Sequence, residues 1–288
     1  MSNNSTNSIV LPEVAKTGLL TFYCHVIESQ NQDPILRDEK AVEISRQLNP
    51  VLTNSSSKLL QKLAKGKISK ELVVHITLRA KRYDEYASAF LKNNPDGILV
   101  NIGCGMDSRF QRVDNGRMTC FDLDLPEMIE LKKQYYEETD RYHLLASAVF
   151  DYAWMDQVAR VGKRPILFMA EGVFMYLDPV KVKELVLKLQ SRFPGSELAC
   201  EVVTEFFTRK PWNRMVAMKM NQHGVGKDAA FTFGIKNCRE METWHIGIEY
   251  LDDWSYFDTR HPRLGRMGMM GKIKFMRDVQ YTVHYRLY

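Results

Sequence analysis

Two stretches of this 288-residue chain carry residue types spaced to hold a nucleotide-like ligand. The first is Ile98-Leu99-Val100-Asn101-Ile102-Gly103-Cys104-Gly105-Met106-Asp107-Ser108-Arg109, which reads as a strand, a glycine turn and the start of a helix. The second, Cys120-Phe121-Asp122-Leu123-Asp124-Leu125-Pro126, reads as a strand ending in acids. Gly103 and Gly105 let the backbone come close to a ligand, because glycine has no Cβ and tolerates positive φ. An acid about 20 residues beyond such a turn stands where a doubly wound sheet offers a carboxylate to ribose hydroxyls. An adenosine-containing cofactor is therefore expected.

What is missing narrows the choice. The third glycine of the dinucleotide fingerprint is replaced by Ser108, and the chain has no Gly-Lys-Ser/Thr phosphate loop, so neither a pyrophosphate cradle nor a nucleoside triphosphate site is indicated. Gly-x-Gly with acids and without phosphate chemistry suits S-adenosylmethionine. An ordinary strand-turn-helix shows the same local pattern, so the elements around it matter.

Those elements alternate. From residue 98 onward, short apolar strands at 98–102, 118–123, 143–146, 166–170 and 198–203 are separated by helical stretches. This predicts an α/β fold with a doubly wound, mostly parallel sheet. A helix is expected over 179–193, with Asp178 as N-cap, Pro179 at its first position and Pro194-Gly195 as its stop. Residues 13–95 carry helical periodicity, as in Ala41-Val42-Glu43-Ile44-Ser45-Arg46-Gln47-Leu48, and are expected to form an N-terminal helical cap ahead of a 96–288 core. Residues 1–12 are expected to be a disordered tail. The Met-, Phe-, Lys- and Arg-rich stretch 206–245 breaks the alternation and is expected to be a helical insertion near the substrate site. At the end of the chain, Val279, Tyr281, Val283 and Tyr285 alternate with polar residues like a half-buried strand that closes the sheet.

Composition bounds the function. With 45% hydrophobic residues the chain can bury a full core, and a net charge of +5 not gathered into one basic run argues against a nucleic-acid partner. Five scattered cysteines, without a Cys-x-x-Cys pair, read as reduced thiols in a cytoplasmic protein. No apolar run reaches membrane-spanning length and the N-terminus lacks a signal-peptide pattern, so no membrane partner is expected. None of the seven histidines falls in a metal-like or triad spacing, and no metal is expected. The oligomeric state is left open.

Six separated blocks, in order, resemble the leucine carboxyl methyltransferase family, and its bacterial branch in particular. They are Ile27-Glu28 with Asp33-Pro34 and Asp38; Arg79-Ala80-Lys81-Arg82-Tyr83-Asp84; Val100 to Arg109; Phe121 to Pro126; Ala146-Ser147-Ala148-Val149 with Trp154; and Ala170-Glu171-Gly172-Val173-Phe174-Met175-Tyr176-Leu177. The resemblance implies a class I S-adenosylmethionine-dependent methyltransferase. It implies that Arg79 pairs with the cofactor's carboxylate, Gly103 and Gly105 pass under its methionine tail, Asp124 holds the ribose hydroxyls, Ala148 and Val149 contact the adenine, and Glu171 faces the cofactor. Asp122 lies two residues from Asp124 and so shares its strand face, and both are expected to reach the ligand. Alanine at 148, and Ala80-Lys81 where the family carries Thr and Arg, are departures that leave the adenine contact to the backbone and the carboxylate more dependent on Arg79.

The resemblance also implies O-methylation. A small-molecule hydroxyl or carboxylate is the leading acceptor, with Tyr176, His25, Arg209 and Arg214 as candidate acceptor contacts. A protein C-terminus, methylated by the other branch of the family, is one alternative, and a catalytically silent binding module or an NAD-linked oxidoreductase are others. Structural roles compete at each position: a surface arginine at 79, a helix N-cap at 122 or 124, a salt-bridged Glu at 171, a solvated basic face at 209 and 214.

Overall fold

The computed structural model describes residues 13–222 and 230–288, so the expected tail at 1–12 lies outside the described residues. Four helices come first: α1 (Glu13–Ser29), α2 (Glu39–Thr53), α3 (Lys58–Ala64) and α4 (Lys70–Asn93). Ser69 caps α4 by accepting from the Leu72 N–H, and the helix stops at Asn94, whose helical conformation the following Pro95 disfavours. Its buried positions form a broad stripe: Tyr83, Ala87 and Phe90 share a cluster with the sheet, while Val73 and Ile76 pack with Cys24 and Val74 packs with Ile35 and Leu264. One apolar cluster holds α1 to α4 residues together with Leu99, Met118, Cys120 and Met169, so the cap and this face of the sheet bury a common core.

The strands are β1 (Ile98–Ile102), β2 (Thr119–Asp124), β3 (Tyr142–Ala146), β4 (Ile166–Ala170), β5 (Ser196–Val203), β6 (Ile248–Trp254) and β7 (Gln280–Leu287). They form one sheet in the order β3-β2-β1-β4-β5-β7-β6, parallel except for β7, which runs against both neighbours. β1 and β4 are buried at every residue, as strands covered on both faces must be, which is why they read as apolar runs. Helices α5 (Arg109–Val113), α6 (Pro126–Lys132), α7 (Trp154–Ala159) and α8 (Pro179–Arg192) connect the strands, and Asp178 caps α8 by accepting from the Val180 and Lys181 N–H groups. The strand order reverses between β1 and β4, which opens a crevice at their C-terminal ends.

Two expectations are corrected. β7 does not close the sheet: it lies inside it, with β6 outermost, and its polar side is covered too, since His284 packs 4.9 Å from Tyr86 and bonds to Glu197. Ahead of β7 the chain forms two short helices, α10 (Gly265–Met270) and α11 (Lys274–Arg277). The 206–245 stretch is only partly helical: α9 (Trp212–Gln222) stands between a 3-10 turn at Glu205–Thr208 and an extended segment in which Ile235 bridges to Thr204. Residues 223–229 of that stretch lie outside the described residues.

Asp38 fastens the cap to the core. It caps α2 by accepting from the Ala41 N–H at 2.9 Å, and it also accepts from Ser108 Oγ at 2.5 Å and from Arg112 Nη1 at 2.9 Å. Burial pushes its carboxyl up, but the hydrogen bond from His25 and the charge of Arg112 outweigh burial and hold it at about 2, below its ordinary 3.8. A lowered folded value means stability that is complete above the unfolded value and lost as pH falls through the folded one. Asp38→Asn is expected to lose about 2 kcal/mol near neutral pH and part of the acid sensitivity between about pH 4 and about pH 2. Urea unfolding across that range checks this, and an unchanged midpoint refutes it.

Candidate active site

A cavity of about 550 Å³ occupies the crevice at the ends of β1, β2 and β4, roofed by α1. Among its walls are Arg79, Gly103, Gly105, Asp124, Ala148, Val149 and Glu171, brought together from α4, the glycine turn and the ends of β2, β3 and β4. His25 and Tyr176 also line it. Asp122, Arg209 and Arg214 do not.

Both glycines of the turn adopt left-handed backbone, with φ of 68° at Gly103 and 51° at Gly105. A Cβ on Gly103 would strike Val173 Cγ2. Gly105 meets another glycine: a Cβ on it would stand 3.5 Å from the Cα of Gly18 on α1, so the roof helix lies directly on the turn. Asp124 is held at the same place by two backbone donors, Gly105 N to Oδ2 at 2.7 Å and Leu125 N to Oδ1 at 2.8 Å. Burial raises its carboxyl, and these two hydrogen bonds act against that rise.

The two acids of β2 have different fates. Asp122 pairs in register with Asn101 within the sheet and accepts from Asn101 Nδ2 and Tyr142 OH, both at 2.6 Å. Fully buried Lys132 completes its shell, Nζ standing 2.7 Å from Oδ2. The expectation that Asp122 reaches the ligand is therefore revised: it is saturated inside the protein and walled off from the cavity.

At the other end of the cavity lies a chain of buried ion pairs. Arg79 donates Nε to Glu171 at 2.8 Å and Nη1 to Glu201 at 2.9 Å. Arg109 donates Nη2 to the second oxygen of Glu171 at 2.6 Å and Nε to Asp84 at 2.9 Å. Arg112 bonds Asp84 and Asp38. Burial alone would raise Glu171, but Arg79 and Arg109 bring its carboxyl below its ordinary value. Gly172, at φ 69°, leaves room for the Arg79 guanidinium, which a Cβ there would approach to 3.3 Å. Asp107 also lines the cavity; Arg109 and Arg112 hold it ionised against burial, with Arg109 Nη1 2.9 Å from its Oδ2 and Arg112 Nη2 2.9 Å from its Oδ1.

The basic residues expected at the acceptor stand elsewhere. Arg209 is exposed and pairs with Glu205 at 3.0 Å, and Arg214 is exposed on α9. Conversely, Asn101, Asp107 and Arg109 line the cavity and went unassigned in the sequence. Asn101 had left a signal, being the one polar residue of an otherwise apolar strand. Ligand atoms of His25, Asp38 and Asp107 come within 4.8 Å of one another, which sequence spacing did not reveal. Arg112 stands 2.9 Å from each of those two carboxylates, which makes this an ion-pair cluster.

Comparison with known proteins fits this geometry. The description of the leucine carboxyl methyltransferase family matches residues 19–190, more than half of the chain and nearly all of the cavity walls. The chain belongs to that family. It is 28% identical over 253 residues to the tetracenomycin polyketide synthesis O-methyltransferase TcmP of Streptomyces glaucescens, covering 88% of this chain and 86% of that one. It is 24% identical over 277 residues to the S-adenosyl-L-methionine-dependent methyltransferase dpfgK of Gibberella zeae, covering 91% and 88%. In fold it is similar to a DUF574 family protein of Streptomyces avermitilis, with TM-score 0.53 at 14% identity over 93% of this chain and 96% of that one.

This leucine carboxyl methyltransferase relative is thus an S-adenosylmethionine-dependent methyltransferase with a class I fold. Its cavity fits such a donor: a Cβ-free turn beside a carboxylate at one end, and paired charges of both signs, among them Asp107 and Arg79, lining the other. Among the described residues no helix is long and apolar enough to cross a membrane, and all five cysteines are free.

Because Asp122 and Lys132 are each other's buried counter-ion, removing either strands a charge. Asp122→Ala is expected to lose about 3 kcal/mol of stability by chemical denaturation. A loss within error of zero would show that the pair is not what holds Asp122 in place.

Proposed function

We propose that this chain transfers a methyl group from S-adenosylmethionine to an oxygen of a small, largely apolar acceptor. The observation that carries the reading is the form of the cavity. At about 550 Å³ it has the size of a small-ligand site, and beyond the glycine turn its wall is apolar, with Phe22, Phe150, Met169, Val173, Tyr176 and Leu177. The basic segment from Arg209 to Arg214, which would have served an acidic acceptor, stands outside it. The relative named for tetracenomycin polyketide synthesis as an O-methyltransferase supports both the oxygen and the small acceptor.

In this reading Asp124 accepts from the ribose hydroxyls beside Gly105. Gly103 and Gly105 pass under the methionine tail, Ala148 and Val149 offer backbone to the adenine, and Asp107 accepts from the ammonium. Arg79 turns its Nη2, which has no hydrogen-bond partner among the described residues, to the carboxylate. Glu171 is a positioning residue that aims Arg79 and Arg109. Tyr176 faces the acceptor. When bound, the donor supplies an electrophilic methyl on a sulfonium, so the chain's work is to align acceptor oxygen and methyl in line and to exclude water. A carboxylate acceptor needs no base from the protein. A reducing, cytoplasmic setting agrees with the free and mostly buried thiols.

The direct test is calorimetric titration with S-adenosylmethionine and NAD, followed by assay of labelled methyl transfer to aromatic acids, phenols and aromatic amines. Selective binding of the methionine-derived ligand is expected. A labelled product that releases methanol in mild base is an ester, a base-stable one an ether, and transfer only to nitrogen overturns the oxygen assignment. Asp124→Ala is expected to weaken donor binding at least about tenfold, the scale of a hydrogen bond to a charged group, with the fold retained. Arg79→Ala is not an equally clean test, since it strands Glu171 and Glu201 without a counter-ion. Arg79→Lys keeps the charge but not the fork and is expected to weaken binding similarly. Unchanged affinity in both variants would refute the assignment.

A further inference from the structure

His25 was expected at the acceptor, but its surroundings are of another kind. Gly18, Thr21, Phe22 and His25 recur at helical spacing on α1 and all line the cavity. Gly18 sits on the glycine turn, and His25, two turns further along, ends among the ion pairs. Its Nδ1 stands 3.0 Å from Asp38 Oδ2, and ligand atoms of Asp38 and Asp107 lie within 4.8 Å of it. Its Nε2 has no hydrogen-bond partner among the described residues.

The charged groups facing the ring come from every neighbouring element. Asp38 at the start of α2 and Asp107 in the turn are acids, Arg112 reaches both from α5, and Arg109 reaches Asp107. On its own helix Glu28 is engaged with Arg263. Asp38 stays ionised down to about 2, because the His25 hydrogen bond and Arg112 overcome burial, so it is available as a counter-ion for a charged imidazole. The arginines at this end are largely spent on protein carboxylates: Arg79 on Glu171 and Glu201, Arg109 on Asp84 and Glu171. A zwitterionic tail entering here meets an acceptor in Asp107 and needs a further donor for its carboxylate.

We infer that His25, oriented by Asp38, is a positioning residue for the amino-acid tail of the cofactor, donating Nε2–H to its carboxylate in the charged form and making tail binding depend on pH. This rests on the S-adenosylmethionine site assigned above. Held at Nδ1 by an ionised acid, a protonated imidazole presents Nε2–H to the cavity, whereas the neutral ring with its proton on Nδ1 presents only a lone pair. Loss of the proton therefore replaces a charge-assisted hydrogen bond by a repulsive contact with the carboxylate.

The test uses the full chain and two stable ligands, S-adenosylhomocysteine, which carries the tail, and 5′-methylthioadenosine, which lacks it. Calorimetry from about pH 5 to about pH 8 spans the range over which histidine titrates. The homocysteine ligand is expected to weaken about tenfold as pH rises, with proton uptake seen as a binding enthalpy that varies with the buffer, while methylthioadenosine stays level. His25→Gln is expected to reduce the low-pH affinity for the tailed ligand to the high-pH value and to abolish the proton uptake, without changing methylthioadenosine binding. Asp38 keeps three other partners in that variant, so the fold is retained and circular dichroism verifies it. Equal pH slopes for the two ligands, or wild-type behaviour in His25→Gln, overturn the inference. Failure of the unaltered chain to bind either ligand overturns the cofactor site itself.

Discussion

Everything at this site depends on the ion-pair chain that runs from Glu201 through Arg79, Glu171, Arg109, Asp84 and Arg112 to Asp38. Its members come from β5, α4, the end of β4, α5 and the cap of α2, so one electrostatic unit joins the sheet to the helical roof. Charges this deeply buried are tolerated only when each meets a partner of opposite sign in good geometry. That demand locks the relative positions of the elements. The cavity end is therefore built before any ligand arrives, with side chains that cannot relax without exposing an unpaired charge.

The second constraint is steric. Gly18 and Gly105 let α1 rest on the turn that follows β1, and Met128 fills the other side, close enough that a Cβ on Gly18 would come within 2.8 Å of its Cε. A Cβ on Gly18 would displace the end of Met128, and one on Gly105 would strain a backbone whose φ of 51° side chains rarely adopt. The roof and the turn thus act as one surface, although 87 residues separate them in sequence.

Much of the fold could be read from the sequence because parallel strands buried on both faces stay apolar throughout. β1 and β4 fall where the apolar runs predict, and β2, β3 and β5 within two residues. β6 was not foreseen for the opposite reason. As the edge strand it carries Glu249, Asp252 and Asp253, only Ile248 is fully buried, and an irregularity between Tyr250 and Asp252 breaks its alternation. The site divides in the same way. The glycine turn and the residues at the strand ends announce themselves by type and spacing, but periodicity cannot tell where along a strand the sheet stops and the cavity begins. Asp122 and Asp124 share a face, yet one pairs within the sheet and the other stands at its rim. Asp38, Asp84 and Arg112 were beyond reach because their partners are assembled only by the tertiary fold.

The charge count of the network bears on what it binds. Arg79, Arg109 and Arg112 give three positive charges, and Asp38, Asp84, Asp107, Glu171 and Glu201 formally give five negative ones, so before His25 is counted the cluster carries an excess of two. Burial moves Glu201 toward its neutral form, which reduces that excess without reversing its sign. With His25 neutral, such a cluster favours a ligand that brings no net negative charge over an anionic one of the same shape. S-adenosylmethionine, a zwitterion with an added sulfonium, meets that condition, and a dinucleotide with its pyrophosphate does not. The preference that Ser108 suggests by its type is thus reinforced by a buried field to which Ser108 itself belongs, through its hydrogen bond to Asp38.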